Sequence, residues 1–225
     1  MRPCLVVDGQ RIPVADDGLP AGMPSDYGVP TLGWGVLAWA EEYLAQPDGD
    51  RAGEPWRWTP TQARIVAWWY AVDRRGRWLF RRGQIVLPKG SGKSPLAAAI
   101  ACCALAAETV FAGSDPTGEP VGSPHPYPPP HLAAVSQDQT DNTMSLVLSM
   151  LRDGAAADAI PGLDIGLTRV RTHNGKLEPV TASAPSREGQ RLTDAILDEP
   201  HLWTPRNGGV RLAATLRRNL GKMGG

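Results

Sequence analysis

Residues Gln84 to Glu108, QIVLPKGSGKSPLAAAIACCALAAE, constrain the chain more than any other stretch. Ile85, Val86 and Leu87 read as a short apolar strand. Pro88 to Gly92 read as a glycine-bearing loop, and Lys93 and Ser94 as the opening of an almost wholly apolar helix. A loop that feeds a helix N-terminus converges backbone N–H groups and the positive end of the helix dipole on one point, which suits a polyphosphate. Gly90, Ser91 and Gly92 can curl around such an anion, because the glycines have no Cβ in the way. Lys93 then places its ammonium on the β and γ oxygens of ATP, and Ser94 offers a hydroxyl to Mg²⁺. Pro95 is compatible with this start, since the first helical turn has no use for its missing N–H. The pattern G-x-x-x-x-G-K-[ST] is missed only at its first glycine, where Leu87 stands. The order strand, loop, helix favours the nucleotide reading over an ordinary strand–turn–helix.

The whole chain of 225 residues can bury a substantial core as one large domain or a domain with an appendage. Its 23 Lys and Arg balance 23 Asp and Glu, so bulk charge gives no push toward nucleic acid or membrane. Any DNA contact must come from local clusters such as Arg74, Arg75, Arg77, Arg81 and Arg82, a pattern that more often marks a solvated face. Cys4, Cys102 and Cys103 lack metal-type spacing and read as thiols of a reducing compartment. The four histidines are scattered, which argues against zinc. The longest apolar run, Pro95 to Ala107, is too short to span a bilayer, and the N-terminal residues have no signal-peptide core. The expectation is a soluble, intracellular protein.

Residues 1–30 offer a possible strand at Leu5 to Val7. LGWGVLAWAEEYLAQ after Thr31 has helical spacing, and Pro47 to Pro55 reads as a linker. Thr59, Pro60 and Gln62 form an explicit helix start, with Gln62 as the capping-box partner of Thr59, ahead of the stripe Ile65, Val66, Trp68, Trp69 and Val72. Trp68 and Trp69 read as core. Proline-rich residues 113–130 read as a surface loop. HLAAVS reads as a buried strand, followed by a helix from Thr140 to Arg152 with Thr140 as its cap. Ile165 to Val170 and Leu177 to Thr181 flank Asn174-Gly175, a strong hairpin signal, and Val210 to Leu220 form a basic amphipathic helix ended by Gly221. Strands alternating with helices imply an α/β fold with a mainly parallel sheet flanked by helices and an inserted β-hairpin.

A second motif is LTDAILDE, Leu192 to Glu199, an apolar strand ending in two carboxylates. Beside a phosphate loop, Asp198 can reach the Mg²⁺ shell and Glu199 can orient and deprotonate an attacking water. A kinase has a built-in acceptor and does not need that glutamate, so hydrolysis is preferred. Arg187 and Arg191, in the loop just before this strand, could cancel transition-state charge in cis or from a neighbouring subunit. Pairing to a surface acid such as Glu188 is the ordinary alternative.

Taken together, LPKGSGKSPLAAA, AAVSQDQTDNT, EPVTASAPSREGQRLTDAILDEPHLW and NGGVRLAATLRRNLGKMGG resemble the large terminase subunit of tailed bacteriophages, especially those infecting actinobacteria. The similarity runs from about Thr59 to the last residue. It implies an ASCE-type P-loop ATPase that packages double-stranded DNA into a procapsid, assembled as a homo-oligomeric ring with portal protein and small terminase subunit in the host cytoplasm. By this resemblance Lys93 and Ser94 are the Walker A lysine and Mg²⁺ ligand, Asp198 the Walker B aspartate, and Glu199 the catalytic glutamate. Lys89 matches an extra basic residue of the family's loop. Gln62 resembles a glutamine placed against adenine, Arg187 is the best match to a trans-acting arginine finger, and Arg191 is second. The expected division is an N-terminal helical appendage over 1–54 and an ATPase core over 55–225. The family's coupling motif and nuclease carboxylates fall beyond Gly225, so the chain is expected to be a front portion without nuclease activity. Two other readings stay open: a silent ATP-binding piece for assembly or DNA docking, with Arg217, Arg218 and Lys222 as candidate contacts, and a helicase-like ATPase outside packaging.

Overall fold

The computed structural model describes residues 4–128, 130–134, 137–182 and 192–221, with the backbone alone at 131 and 137–140. The chain opens with a hairpin, β1 (Cys4–Val7) and β2 (Gln10–Pro13), and then two helices, α1 (Gly33–Tyr43) and α2 (Pro60–Trp69). The apolar helix α3 (Lys93–Ala106) follows, then a second hairpin, β3 (Val110–Ser114) and β4 (Pro120–Ser123). Strand β5 (His131–Ala134) leads into α4 (Gln137–Arg152) and a single turn, α5 (Ala156–Ala159). Strands β6 (Asp164–Ile165), β7 (Val170–Arg171), β8 (Lys176–Thr181) and β9 (Ala195–Leu197) precede α6 (Gly209–Leu220).

The central sheet has the order β6-β7-β8-β5-β9. β5 pairs in parallel with β8 and with β9, whereas β6, β7 and β8 pair antiparallel. The expected parallel sheet is thus a mixed one, parallel on one side and antiparallel at the other edge. The pleat sorts side chains between two helical layers, because neighbours along a strand point to opposite faces. Leu132, Leu177 and Ile196 pack with α1, α2, α3 and α4; Ala133, Val180, Ala195 and Leu197 pack with Leu212 and Leu216 of α6 and with Trp203. A third small cluster, Val7, Ile12, Val29, Trp68 and Ala71, seats the first hairpin on α2. Trp68 is core, and Trp69 is half-buried.

Several sequence expectations change in detail. No strand forms at Ile85 to Leu87: residues 82–88 have no ladder partner, and Ile85 and Val86 are 41% and 78% exposed. A strand needs a neighbour for its N–H and C=O groups, and among the described residues no ladder joins this segment to β9 or to any other strand. Residues 113–130 are not a plain loop. Their first part closes the β3–β4 hairpin, which has an irregular register between Phe111 and Gly113 and forms a two-stranded sheet of its own. The turn at Asn174-Gly175 forms, with Thr172 N–H donating to Gly175 O at 2.9 Å, but it joins two strands of the central sheet rather than an insertion. The expected strand over 165–170 is broken into β6 and β7. α4 starts three residues before Thr140, which is therefore inside the helix and not its cap. Residues 47–55 form a turn tied to its surroundings: Gln46 N–H donates to Glu54 O, Trp56 N–H to Leu44 O, and Ser149 Oγ to Pro47 O.

α1 crosses α2 closely at Gly33, where a Cβ would fall 2.7 Å from Ala67 Cα. The neighbouring Thr31 Oγ donates to Ala67 O at 2.6 Å and accepts from Gly33 N–H at 2.9 Å, which locks the crossing. Gly33→Ala is expected to cost about 1–3 kcal/mol by overpacking. Gly35→Ala, two residues on with nothing within 4 Å of its Cβ, is expected to stabilise by roughly 0.5–1 kcal/mol. Urea denaturation of both variants checks the opposite signs.

Candidate functional site

The loop before α3 is built by its two left-handed glycines, Gly90 at φ +81° and Gly92 at φ +78°. Gly92 caps α3 from that conformation, and its carbonyl accepts from Leu96 N–H at 3.1 Å. Ser91 Oγ donates to Pro88 O at 2.6 Å, which closes the loop on itself. Lys93 folds back over it, Nζ donating to Leu87 O at 2.7 Å. Lys89, Ser91, Lys93 and Ser94 are exposed, whereas Leu96, Ala98, Ala99, Ala101, Cys102 and Cys103 bury the remainder of α3. The first N–H groups of α3 therefore open to solvent on a helix whose body is anchored in the core.

Gln62 approaches this loop from α2. Thr59 Oγ accepts from Gln62 N–H at 3.3 Å, and Gln62 Oε1 accepts from Thr59 N–H at 3.0 Å, so both halves of the capping box are made. The other end of the same amide faces the loop, with Nε2 3.4 Å from the place a Cβ on Gly92 would take. Gln62 is 7% exposed. The choice between a cap and a ligand contact dissolves, because an amide has one acceptor end and one donor end.

Asp198 and Glu199 follow β9. Asp198 N–H donates to Ala133 O at 2.9 Å, which extends the parallel ladder one residue past the strand. Trp203 Nε1 donates to Asp198 O at 3.1 Å, and Thr143 Oγ donates to Asp198 Oδ2 at 3.3 Å. Glu199 is exposed and left-handed, at φ 44° and ψ 52°. For a residue with a Cβ this conformation is strained by on the order of 1–3 kcal/mol, and here it turns the chain off the sheet edge. Arg187 and Arg191 lie outside the described residues. Thr143 is a residue that sequence reasoning missed; the available signal was a hydroxyl on the buried stripe of α4 that continues through Val147, Met150 and Leu151.

At the far end of α3 the Tyr70 phenol is pushed well above its ordinary value by burial, with further contributions from Cys103 and Asp194 beside it. Burial likewise raises the Cys102 and Cys103 thiols, which are inert packing groups. The Asp194 carboxyl is also raised by burial.

The fold is similar to part of a solved large terminase. The crystal structure of the HK97 bacteriophage large terminase matches with a TM-score of 0.62 at 19% identity, over 85% of this chain and 36% of that one. In sequence the chain is 35% identical over 221 residues to the Gene 13 protein of Mycobacterium phage D29, covering 87% of this chain and 36% of the relative. It is equally similar to the Gene 13 protein of Mycobacterium phage L5, covering 37% of it. The chain therefore spans little more than a third of the length of the curated relatives it matches. No protein-family model matches the sequence. No helix among the described residues is long and apolar enough to cross a membrane.

Two outcomes follow from this geometry. Thr59→Ala removes the acceptor for Gln62 N–H and is expected to cost about 1 kcal/mol in thermal or urea denaturation. A raised folded-state pKa means that Asp194 costs nothing while protonated in both states and destabilises the fold as pH rises above its ordinary value of 3.8. Asp194→Asn should therefore raise the denaturation midpoint at pH 7 and change it little near about pH 3.

Proposed function

We propose that the chain is the ATPase portion of a bacteriophage terminase large subunit, which hydrolyses ATP with Mg²⁺ to translocate double-stranded DNA into a procapsid. The observation that carries this reading is the loop Pro88–Lys93, turned by two left-handed glycines onto the start of α3 with the Gln62 amide against it. The likeness to the HK97 large terminase supports the assignment of that loop to a packaging motor.

The residues present fit Mg-ATP. Among the described residues no cluster of three or more His, Cys, Asp or Glu could cage a metal ion, and Mg²⁺ in nucleotide sites needs no such cage, since it keeps waters and phosphate oxygens as ligands. Bound Mg-ATP would supply the electrophilic phosphorus, with Mg²⁺ offsetting the negative charge of the phosphates. The N–H groups of Gly90, Ser91 and Gly92 and the ammonium of Lys93 would hold the phosphates, with Lys89 adding positive charge. Lys93 would exchange Leu87 O for phosphate oxygen, a charge-assisted bond that is the stronger of the two. Ser94 and Asp198 would hold Mg²⁺ and its waters, and Gln62 Nε2 would meet the base. Glu199, beyond the strand end, would orient the attacking water and take its proton.

The reading extends to a homo-oligomeric ring on the portal protein, loaded by the small terminase subunit in the host cytoplasm, with Arg187 reaching the ATP of the neighbouring subunit. The division into an appendage over 1–54 and an ATPase portion over 55–225 belongs to the same proposal, and Val36 and Ala40 of α1 share a cluster with α2, α3 and α4. A second reading, nucleotide binding without turnover by this piece alone, is favoured by one observation: residues 85–87, which lead into the loop, are not held in the sheet.

Steady-state ATP hydrolysis separates the two. Turnover is expected to rise with protein concentration and to fall by at least about 100-fold in Glu199→Gln and on the order of 1,000-fold in Arg187→Ala. Lys93→Ala is expected to lose nucleotide binding. Binding without turnover at every concentration would sink the motor reading for this chain and leave the binding-only one.

A further inference from the structure

We propose that Thr143 is a positioning residue for the metal-binding carboxylate, fixing which oxygen of Asp198 is left for Mg²⁺. The inference rests on the nucleotide reading above. Thr143 lies in the second turn of α4 and is 3% exposed. A buried threonine on a helix commonly returns its hydroxyl to the carbonyl four residues back. Here the hydroxyl instead crosses to the next layer and donates to Asp198 Oδ2 at 3.3 Å.

Three elements therefore hold one residue. β5 takes the Asp198 N–H through Ala133 O, the segment leading to α6 takes its carbonyl through Trp203 Nε1, and α4 takes one carboxylate oxygen through Thr143. The first two contacts fix the backbone only. With the main chain pinned, the carboxylate still rotates about χ1 and χ2, and the Thr143 bond is what selects one setting. An ionised carboxylate is an acceptor at both oxygens, so a donor held on Oδ2 makes Oδ1 the oxygen offered to a metal ion. A metal ligand that is oriented in advance loses less freedom on binding, which is why groups one shell behind a metal ligand carry a tenfold or larger share of affinity. The half-buried setting of Asp198 strengthens the bond, since fewer waters compete for Oδ2.

The test uses the chain as it stands with Mn²⁺ in place of Mg²⁺, titrated by electron paramagnetic resonance in the presence of a non-hydrolysable ATP analogue. Thr143→Val keeps the shape and removes the hydroxyl; Thr143→Ser keeps the hydroxyl and removes the methyl. The expected result is a Mn²⁺ affinity weakened on the order of tenfold in Thr143→Val and restored to near the wild-type value in Thr143→Ser. Analogue binding without metal should be unchanged in both. In an Asp198→Asn background Thr143→Val should have no further effect on Mn²⁺, and this arm stays informative if the single variant is less stable. Equal Mn²⁺ affinity in the wild type and Thr143→Val would overturn the proposal while leaving the nucleotide reading in place. Equal weakening in Val and Ser variants would also overturn it, by showing that packing of the methyl and not the hydroxyl matters. If the wild type takes up neither the analogue nor Mn²⁺, the nucleotide reading itself fails and the role of Thr143 goes with it.

Discussion

The parallel pairing of β5 between β8 and β9 is the constraint from which the remainder of the molecule follows. Once those three strands are in register, the pleat commits Leu132, Leu177 and Ile196 to one face and Ala133, Val180 and Leu197 to the other. Each face must be covered, because buried strands that are apolar on both sides cannot leave either one in water. The first face takes four helices and the second takes α6. The same register sets Asp198 one residue beyond β9, where its N–H still finds Ala133 O and its side chain meets α4.

The phosphate-type loop depends on this framework indirectly. α3 has no polar face to stabilise it in isolation; it is a run of alanine, cysteine and leucine whose helical state is secured by burial against α1, α2 and α4. Its first turn is presented to solvent because the other turns cannot be. α2 brings Gln62 against Gly92 at one end, and Tyr70, just past its other end, shares a buried cluster with Cys103. The capping box thus has two consequences, one for the stability of α2 and one for the placement of an amide donor at the loop.

Much of the site was legible as local chemistry. Gly90, Gly92, Lys93 and Ser94 announce a loop and a helix start, because glycine conformations and helix caps are decided within a few residues. Thr59, Pro60 and Gln62 announce the start of α2 for the same reason, and both bonds of that box are formed. The strand expected over Leu192 to Glu199 forms at Ala195–Leu197 alone, with Asp198 and Glu199 just past its end. The left-handed turn at Glu199 was not legible, since a non-glycine residue in that region is held there by its surroundings.

What the sequence determined by itself were features whose partners lie within one helical turn or one tight turn: the caps, the glycine loop, the Asn174-Gly175 hairpin and the amphipathic face of α6. What only the tertiary structure decided were features whose partners are distant in the chain. Ile85 to Leu87 have the composition of a strand yet form none, because a ladder requires a neighbour that composition does not supply. Pro120 to Ser123 form a strand within a proline-rich stretch, because β3 offers an edge. Thr143 meets Asp198 across 55 residues of sequence, and no periodicity in either segment encodes that contact. The physical reason is the same in each case: local propensity chooses a conformation for a segment, and the packing of segments chooses which side chains meet.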